Sequence, residues 1–275
     1  LIFQEKSKYG MDDLLAIMKL LRSPEGCPWD REQDHRSIRS NFIEEAYEAV
    51  DAIDADDKPA LCEELGDVLL QVVFHTQMEA EQGTFSFDDV CDGICKKLIH
   101  RHPHIFSDVI AGTSGEVLRN WDAIKKKEKG QETQTDTMQS IPRCFPALMR
   151  AAKVQNKAAK VGFDWEDVQG PLDKLREETA ELSEALEQKD SEGVQEELGD
   201  VLFAAVNVSR FVDLDAEETL TRATDKFIAR FARVERLASE KEMDMKTLSL
   251  EELDRLWDKA KEELYSLGEH GAPVE

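Results

Sequence analysis

The sequence predicts an all-α protein made of two tandem halves, and three observations carry that prediction. Apolar residues recur at three- and four-residue steps, as in Met11, Leu14, Leu15, Met18 and Leu21, or Leu65, Val68, Leu69, Val72 and Val73. That spacing lines one face of a helix. Strand-like alternation is scarce, and only 14 Gly and 8 Pro punctuate 275 residues. The heptapeptide Glu-Glu-Leu-Gly-Asp-Val-Leu occurs twice, at 63–69 and at 196–202.

The same period places a first set of helices near 11–22, 37–55, 60–82, 87–102 and 114–129. The first carries the Met11 stripe and the third the Leu65 stripe. Pro103 should end the fourth just past Arg101, because proline restricts the residue before it and cannot continue a helix. Between Lys129 and Ser140 the chain is polar and carries Gly130, with Pro142 just beyond; this is the composition of a linker. A second set is expected near 144–160, 171–189, 192–212, 216–240 and 250–266, where Leu172–Leu175, Val201–Val208 and Phe227–Phe231 keep the period. The expected boundaries are therefore 9–129, a linker at 130–141, and 142–268.

The halves correspond residue by residue. Glu44-Glu45-x-x-Glu48 returns as Glu177-Glu178-x-x-Glu181, and the heptapeptide returns at the same offset of 133. Across 44–69 and 177–202, 12 of 26 positions agree without a gap, which shared composition does not produce. Lys97 and Arg101 answer to Lys226 and Arg230, Trp121 and Lys125 to Trp257 and Lys261, and Trp29-Asp30 to Trp165-Glu166. This is a tandem duplication.

Composition narrows the function. Thirty-five Lys and Arg against 59 Asp and Glu leave a net charge of −24, which argues against nucleic-acid binding through an overall basic surface. No run approaches the ~18–20 apolar residues of a membrane span, and no secretory leader pattern opens the chain. It begins with Leu1 rather than Met, which leaves room for an upstream segment. Cys27, Cys62, Cys91, Cys95 and Cys144 form an odd, dispersed set, unlike a secreted disulfide scaffold. A reducing cytoplasm is the expected compartment.

The repeated acids carry the chemistry. Residues three or four apart share a helix face, so Glu178 with Glu181, and Glu197 with Asp200, each point one way. A short connection near Asp190–Gly193 would make their helices antiparallel neighbours and bring the four carboxylates together. Glu45, Glu48, Glu64 and Asp67 would do the same in the first half. Four carboxylates at close range repel and need cations, and an oxygen-only set suits Mg²⁺ or Mn²⁺ better than zinc. Gly66 and Gly199, mid-helix at a cost of ~0.5–1 kcal/mol each, are expected to permit close helix approach. A di-iron bundle would need Glu-x-x-His turns, where Asp67 and Asp200 stand instead. Lys226 and Arg230 suit phosphate oxygens, Trp257 with Lys261 suits a base or ribose, and Lys97, Arg101, Trp121 and Lys125 repeat that set. P-loop, dinucleotide-fold and nucleophilic-serine motifs are absent.

Three flanking segments add a family resemblance. Gly26-Cys27-Pro28-Trp29-Asp30, His100-Arg101-His102-Pro103-His104 and Val161-Gly162-Phe163-Asp164-Trp165 accompany the two acidic patterns. The chain thus resembles, from about residue 10 to about 266, the tandem-domain form of MazG proteins within the all-α NTP pyrophosphatase superfamily. The resemblance implies Mg²⁺-dependent hydrolysis of nucleoside triphosphates to monophosphate and pyrophosphate, in nucleotide-pool house-cleaning. It also implies a homodimer, which would cover apolar faces such as Leu69-Val72-Val73 and Leu202-Val206. Metal would sit on Glu178, Glu181, Glu197 and Asp200, with Glu177 as outer ligand or general base. Rival expectations are a dUTPase-like or phosphoribosyl-ATP pyrophosphohydrolase, and a metal-stabilised scaffold regulating a partner. The second half is expected to carry most catalysis. Its Lys226 and Arg230 lie inside a long helix, and Lys153, Lys157 and Lys160 lend local positive charge.

Overall fold

A computed structural model of the chain describes residues 5–107 and 112–266, which among themselves contain helices and no strand. The chain divides into two compact units between Lys125 and Lys126.

The first unit is organised on a helical hairpin, α3 (Arg39–Asp54) and α4 (Lys58–Gln82), with α1 (Met11–Leu21) packed on α4. A short α2 (Pro28–Glu32) lies between α1 and α3. The turn of the hairpin holds Asp56 at φ +54°, and Asp57 then caps α4 by accepting from the Ala60 N–H. α4 ends on Gly83 at φ +71°, a left-handed position that glycine fills without strain. Met18, Ile38, Val73, Phe74 and Met78 form the core. α5 (Phe87–Arg101) starts on a Ser86–Asp89 capping box and also packs on α4. It stops where expected, since Pro103 opens the separate one-turn α6 (Pro103–Phe106). α7 (Ser114–Glu128) contains the division between units.

The second unit repeats the hairpin in α10 (Gln169–Gln188) and α11 (Ser191–Phe211). Lys189 takes the left-handed turn position at φ +57°, 133 residues after Asp56, and Asp190 caps α11 as Asp57 caps α4. α9 (Ala147–Ala159) packs on α11 and on α12 (Ala216–Glu240), which pairs with α13 (Leu250–Ser266) after a 3-10 turn at Met245–Thr247. Val234, Leu237, Ala238, Leu256 and Ala260 make its core.

Two expectations need correction. The polar stretch taken for a linker holds a capped helix, α8 (Gln134–Gln139), which packs on α9. Thr137 and Ile141 are buried and the Gln134 amide donates to the Lys157 carbonyl. Capping by Thr133 and Asp136 outweighs a composition that reads as linker. Gly66 and Gly199 permit no close approach inside their units, because a Cβ at either would meet nothing within 4 Å. The close approaches lie at Gly26, whose Cβ would fall 2.2 Å from the Leu20 and Leu21 carbonyls, and at Gly170, 2.2 Å from the Trp165 ring.

Candidate metal centre

The α10–α11 hairpin sets Glu178, Glu197 and Asp200 so that one oxygen from each lies within 4.8 Å of the others. Two ligands on one Mg²⁺ at ~2.1 Å each are at most ~4.2 Å apart, so small rotamer shifts close this set on an ion. Glu178 is 6% exposed. Glu181 lies beside it, and a hydrogen bond with Glu178, then burial and the charges of Glu178 and Glu197, raise its pKa. Burial, followed by Glu178 and Asp200, raises that of Glu197. Both shifts have the same origin: crowded carboxylates favour the neutral form because the cluster carries more negative charge than its surroundings offset. The donor set is all oxygen and crowded with like charge, and it fits a hard divalent cation.

The first unit gathers Glu45, Glu48 and Glu64 within the same 4.8 Å. Asp67 is absent from that triplet but stands close enough to be the leading charge raising Glu45, after burial. Burial, then Glu48 and Asp67, raises Glu64.

One contact escaped the sequence reading. Lys174 places its Nζ 2.6 Å from Glu178 and 2.7 Å from Glu177, and these carboxylates raise its own pKa. Glu177 itself is well exposed. The signal was available, since Lys174 stands four residues before Glu178 and the corresponding residue of the first half is Asn41.

The basic and aromatic residues gather among themselves. Arg230 lies 5.9 Å over the Trp257 ring, Phe227 meets Trp257 at 5.1 Å and Phe231 at 6.0 Å. Phe227, Phe231, Val234, Met245, Leu253 and Trp257 line a cavity of about 290 Å³. Lys226 is exposed, and Lys261 pairs with Asp258 at 2.7 Å. In the first unit Arg101 and Lys125 lie 5.5 and 4.7 Å over Trp121, while Lys97 is exposed. Among the described residues no ion pair joins Lys226, Arg230 or Lys261 to the carboxylates; the cation on the cluster is Lys174.

The loops before the acidic helices are clamped by arginine. Arg210 of α11 grips Asp164, with Nη1 donating at 2.8 Å and Nη2 also bonded, and donates to Asn207 at 2.9 Å. In the first unit Arg22, just after α1, grips Glu81 near the end of α4, 2.9 Å from each oxygen, and donates to the Asp30 and Gln33 carbonyls. Each clamp ties the entry of the acidic helix to the far end of its partner.

Each unit is thus an α-hairpin that gathers carboxylates from both its helices into a site able to hold a cation. The profile of the MazG nucleotide pyrophosphohydrolase domain matches residues 33–106 and 166–234. The chain is 45% identical over 250 residues to a nucleoside triphosphate pyrophosphohydrolase/pyrophosphatase MazG of Thermotoga maritima, covering 91% of this chain and 95% of that one. It is 44% identical over 254 residues to a nucleoside triphosphate pyrophosphohydrolase of Escherichia coli, covering 91% and 97%. It is also 47% identical over 248 residues to the protein YabN of Bacillus subtilis, 90% of this chain and 50% of that one. The chain belongs to the MazG family.

Proposed function

We propose that this chain hydrolyses nucleoside triphosphates between the α and β phosphates, releasing monophosphate and pyrophosphate, and that it serves nucleotide-pool house-cleaning in the cytoplasm. The observation that carries the reading is the second unit's pocket of Glu178, Glu181, Glu197 and Asp200. Similarity to pyrophosphohydrolases over most of the chain supports it.

Mg²⁺, or Mn²⁺ in its place, would be held by those four residues and would supply neutralisation of the triphosphate and acidification of a water. Glu178 is fixed by burial and presents its oxygens without rotamer loss. Glu177, exposed beside it, accepts a proton from the attacking water. Lys226 and Arg230 bind phosphate oxygens from one face of α12, and the guanidinium is pre-set by its place over Trp257. Trp257 offers a stacking wall for base or ribose, with Lys261 at its edge. The second half, 142–268, carries most of the turnover. The first, 9–129, holds the parallel set Glu45, Glu48, Glu64 and Asp67 with Lys97, Arg101, Trp121 and Lys125. The active assembly is a homodimer that needs no nucleic acid or membrane.

The test is incubation of the purified chain with mixed nucleoside triphosphates and Mg²⁺, resolving orthophosphate from pyrophosphate. Pyrophosphate with monophosphate is expected, and EDTA should abolish both. Orthophosphate with diphosphate, or undiminished activity in EDTA, would overturn the assignment.

A further inference from the structure

The first unit contains a second polar system that the proposed hydrolysis does not use. His35, in the loop between α2 and α3, meets His75 of α4 with Nδ1 to Nδ1 at 2.7 Å. The ring centroids are 5.0 Å apart and the planes differ by 6°. Parallel rings stacked at a van der Waals separation of ~3.5 Å could not bring any two nitrogens to 2.7 Å. The rings are therefore near coplanar, edge to edge, and the contact is an in-plane N–H···N bond.

The donors along this line follow from one end. Glu79 accepts from His35 Nε2 at 2.6 Å and from the Thr84 hydroxyl, and these bonds lower its pKa. A carboxylate only accepts, so His35 Nε2 carries a hydrogen. Neutral His35 then has a bare Nδ1, His75 Nδ1 must donate to it, and neutral His75 is left with a bare Nε2. One turn earlier along α4, Gln71 is 7% exposed and its Oε1 is buried with no partner. A buried acceptor that lacks a donor thus stands four residues from His75, within reach of its ring by rotamer change.

We propose that Glu79, His35, His75 and Gln71 form a one-proton switch, in which the histidine pair takes up a single proton and His75 Nε2 becomes a donor to Gln71 Oε1. The protons balance. The neutral pair holds two ring hydrogens, on His35 Nε2 and His75 Nδ1. A third leaves one on His35 Nε2, one shared between the Nδ1 atoms, and one on His75 Nε2. The shared bond survives and becomes charge-assisted, and Glu79 balances the added charge. A fourth hydrogen would put two between the Nδ1 atoms and break the contact.

The groups around the pair are consistent with one added proton. Asp34 and Arg36 flank His35 in its loop, Glu79 faces it from α4, and Phe42 of α3 lies 5.8 Å from the His75 ring. Arg22, which caps α1, is committed to Glu81 and to the face of Phe74. Burial, then the charge of His35, lowers the pKa of His75, which resists the fourth hydrogen. At the offset of 133 the second unit has Ala204, Val208 and Val212 in place of Gln71, His75 and Glu79. The switch belongs to the first unit alone, and it stands whether or not the chain hydrolyses nucleotides.

The test is long-range proton–nitrogen correlation on the full metal-free chain labelled at histidine, from pH 8.5 to 5, assigned with His35→Gln and His75→Gln. At high pH His35 should be the Nε2–H tautomer and His75 the Nδ1–H tautomer. On acidification His75 should gain Nε2–H in one step while the shared Nδ1 proton persists. Gln71→Leu removes the acceptor and should lower that midpoint by about one pH unit, a tenfold change in proton affinity. An Nε2–H tautomer of His75 at pH 8.5, read on the unaltered chain, would overturn the proposal, as would an unmoved midpoint in folded Gln71→Leu.

Discussion

Glu178 and Glu45 occupy equivalent places in the duplicated hairpins, yet their surroundings differ. Lys174 offsets the charge on Glu178, whereas no ion pair with Glu45 stands among the described residues, and burial followed by its acidic neighbours raises its pKa. Glu178→Gln is expected to remove turnover by more than the ~10–100-fold of an outer-shell loss, while Glu45→Gln leaves most of it. Steady-state pyrophosphate release from both variants decides, and the reverse order would move the main site to the first unit. The central glycines make a separate prediction. With no atom within 4 Å of a Cβ at Gly66 or Gly199, Ala at either position should raise unfolding free energy by ~0.5–1 kcal/mol. A fall in denaturation midpoint would show that something outside the unit packs there.

Among the elements, the α10–α11 hairpin is held at both ends. Lys189 and Asp190 make its turn, and the Arg210–Asp164 pair closes its mouth, where Trp165 lies against Gly170. The Arg210 side chain is 14% exposed and that of Asp164 25%, so solvent screens the pair only in part. Asp164→Ala should cost about 1–3 kcal/mol in chemical denaturation, since it leaves a largely buried guanidinium with one partner fewer. Gly170→Ala must displace an indole and should cost at least as much. Equal stability of both variants with the parent would mean that the loop is held by other contacts.

For the whole molecule, the acid pocket makes stability depend on pH and metal together. Glu45, Glu64, Glu181 and Glu197 all have folded-state pKa values above the ordinary 4.5. Each group binds its proton more tightly when folded, so the benefit is complete below 4.5 and is lost as pH rises through the raised value. In EDTA the thermal midpoint should therefore fall as pH climbs from the mid-fours. Mg²⁺ should restore more at pH 8 than at pH 5, because protons compete with the ion for these carboxylates as pH falls toward their raised values; scanning calorimetry at the two pH values checks both signs. The apolar surface calls for a partner, through only part of the faces the periodicity suggests. Val73 and Val206 are buried in their own units, while Leu65, Leu69, Leu198, Leu202 and Phe203 remain exposed. Light scattering at micromolar concentration should give about twice 31.2 kDa, and a monomer mass would refute the dimer.

Most helices and their duplication were legible because helix periodicity is local and repeats are read by comparison. The expected set 171–189 and 192–212 lies within two residues of α10 and α11 at each end. The carboxylate pairing was legible for the same reason, since i, i+3 spacing and a short turn leave an antiparallel hairpin few alternatives. The short helices at Pro28, Pro103 and Gln134 were not, because four to six residues are too few to show an apolar stripe; the last rests on its Thr133–Asp136 cap and its packing on α9. Gly66 and Gly199 misled because a mid-helix glycine has the same sequence signature whether or not anything approaches it; only tertiary structure assigns close approach to Gly26 and Gly170. Lys174 on Glu178 and the His35–His75 pair likewise required the fold. The histidines are 40 residues apart, and no local rule states which distant side chain a helix face will meet. Helices and paired acids follow from contacts within a few residues, whereas what stands against them depends on packing between segments far apart in the chain.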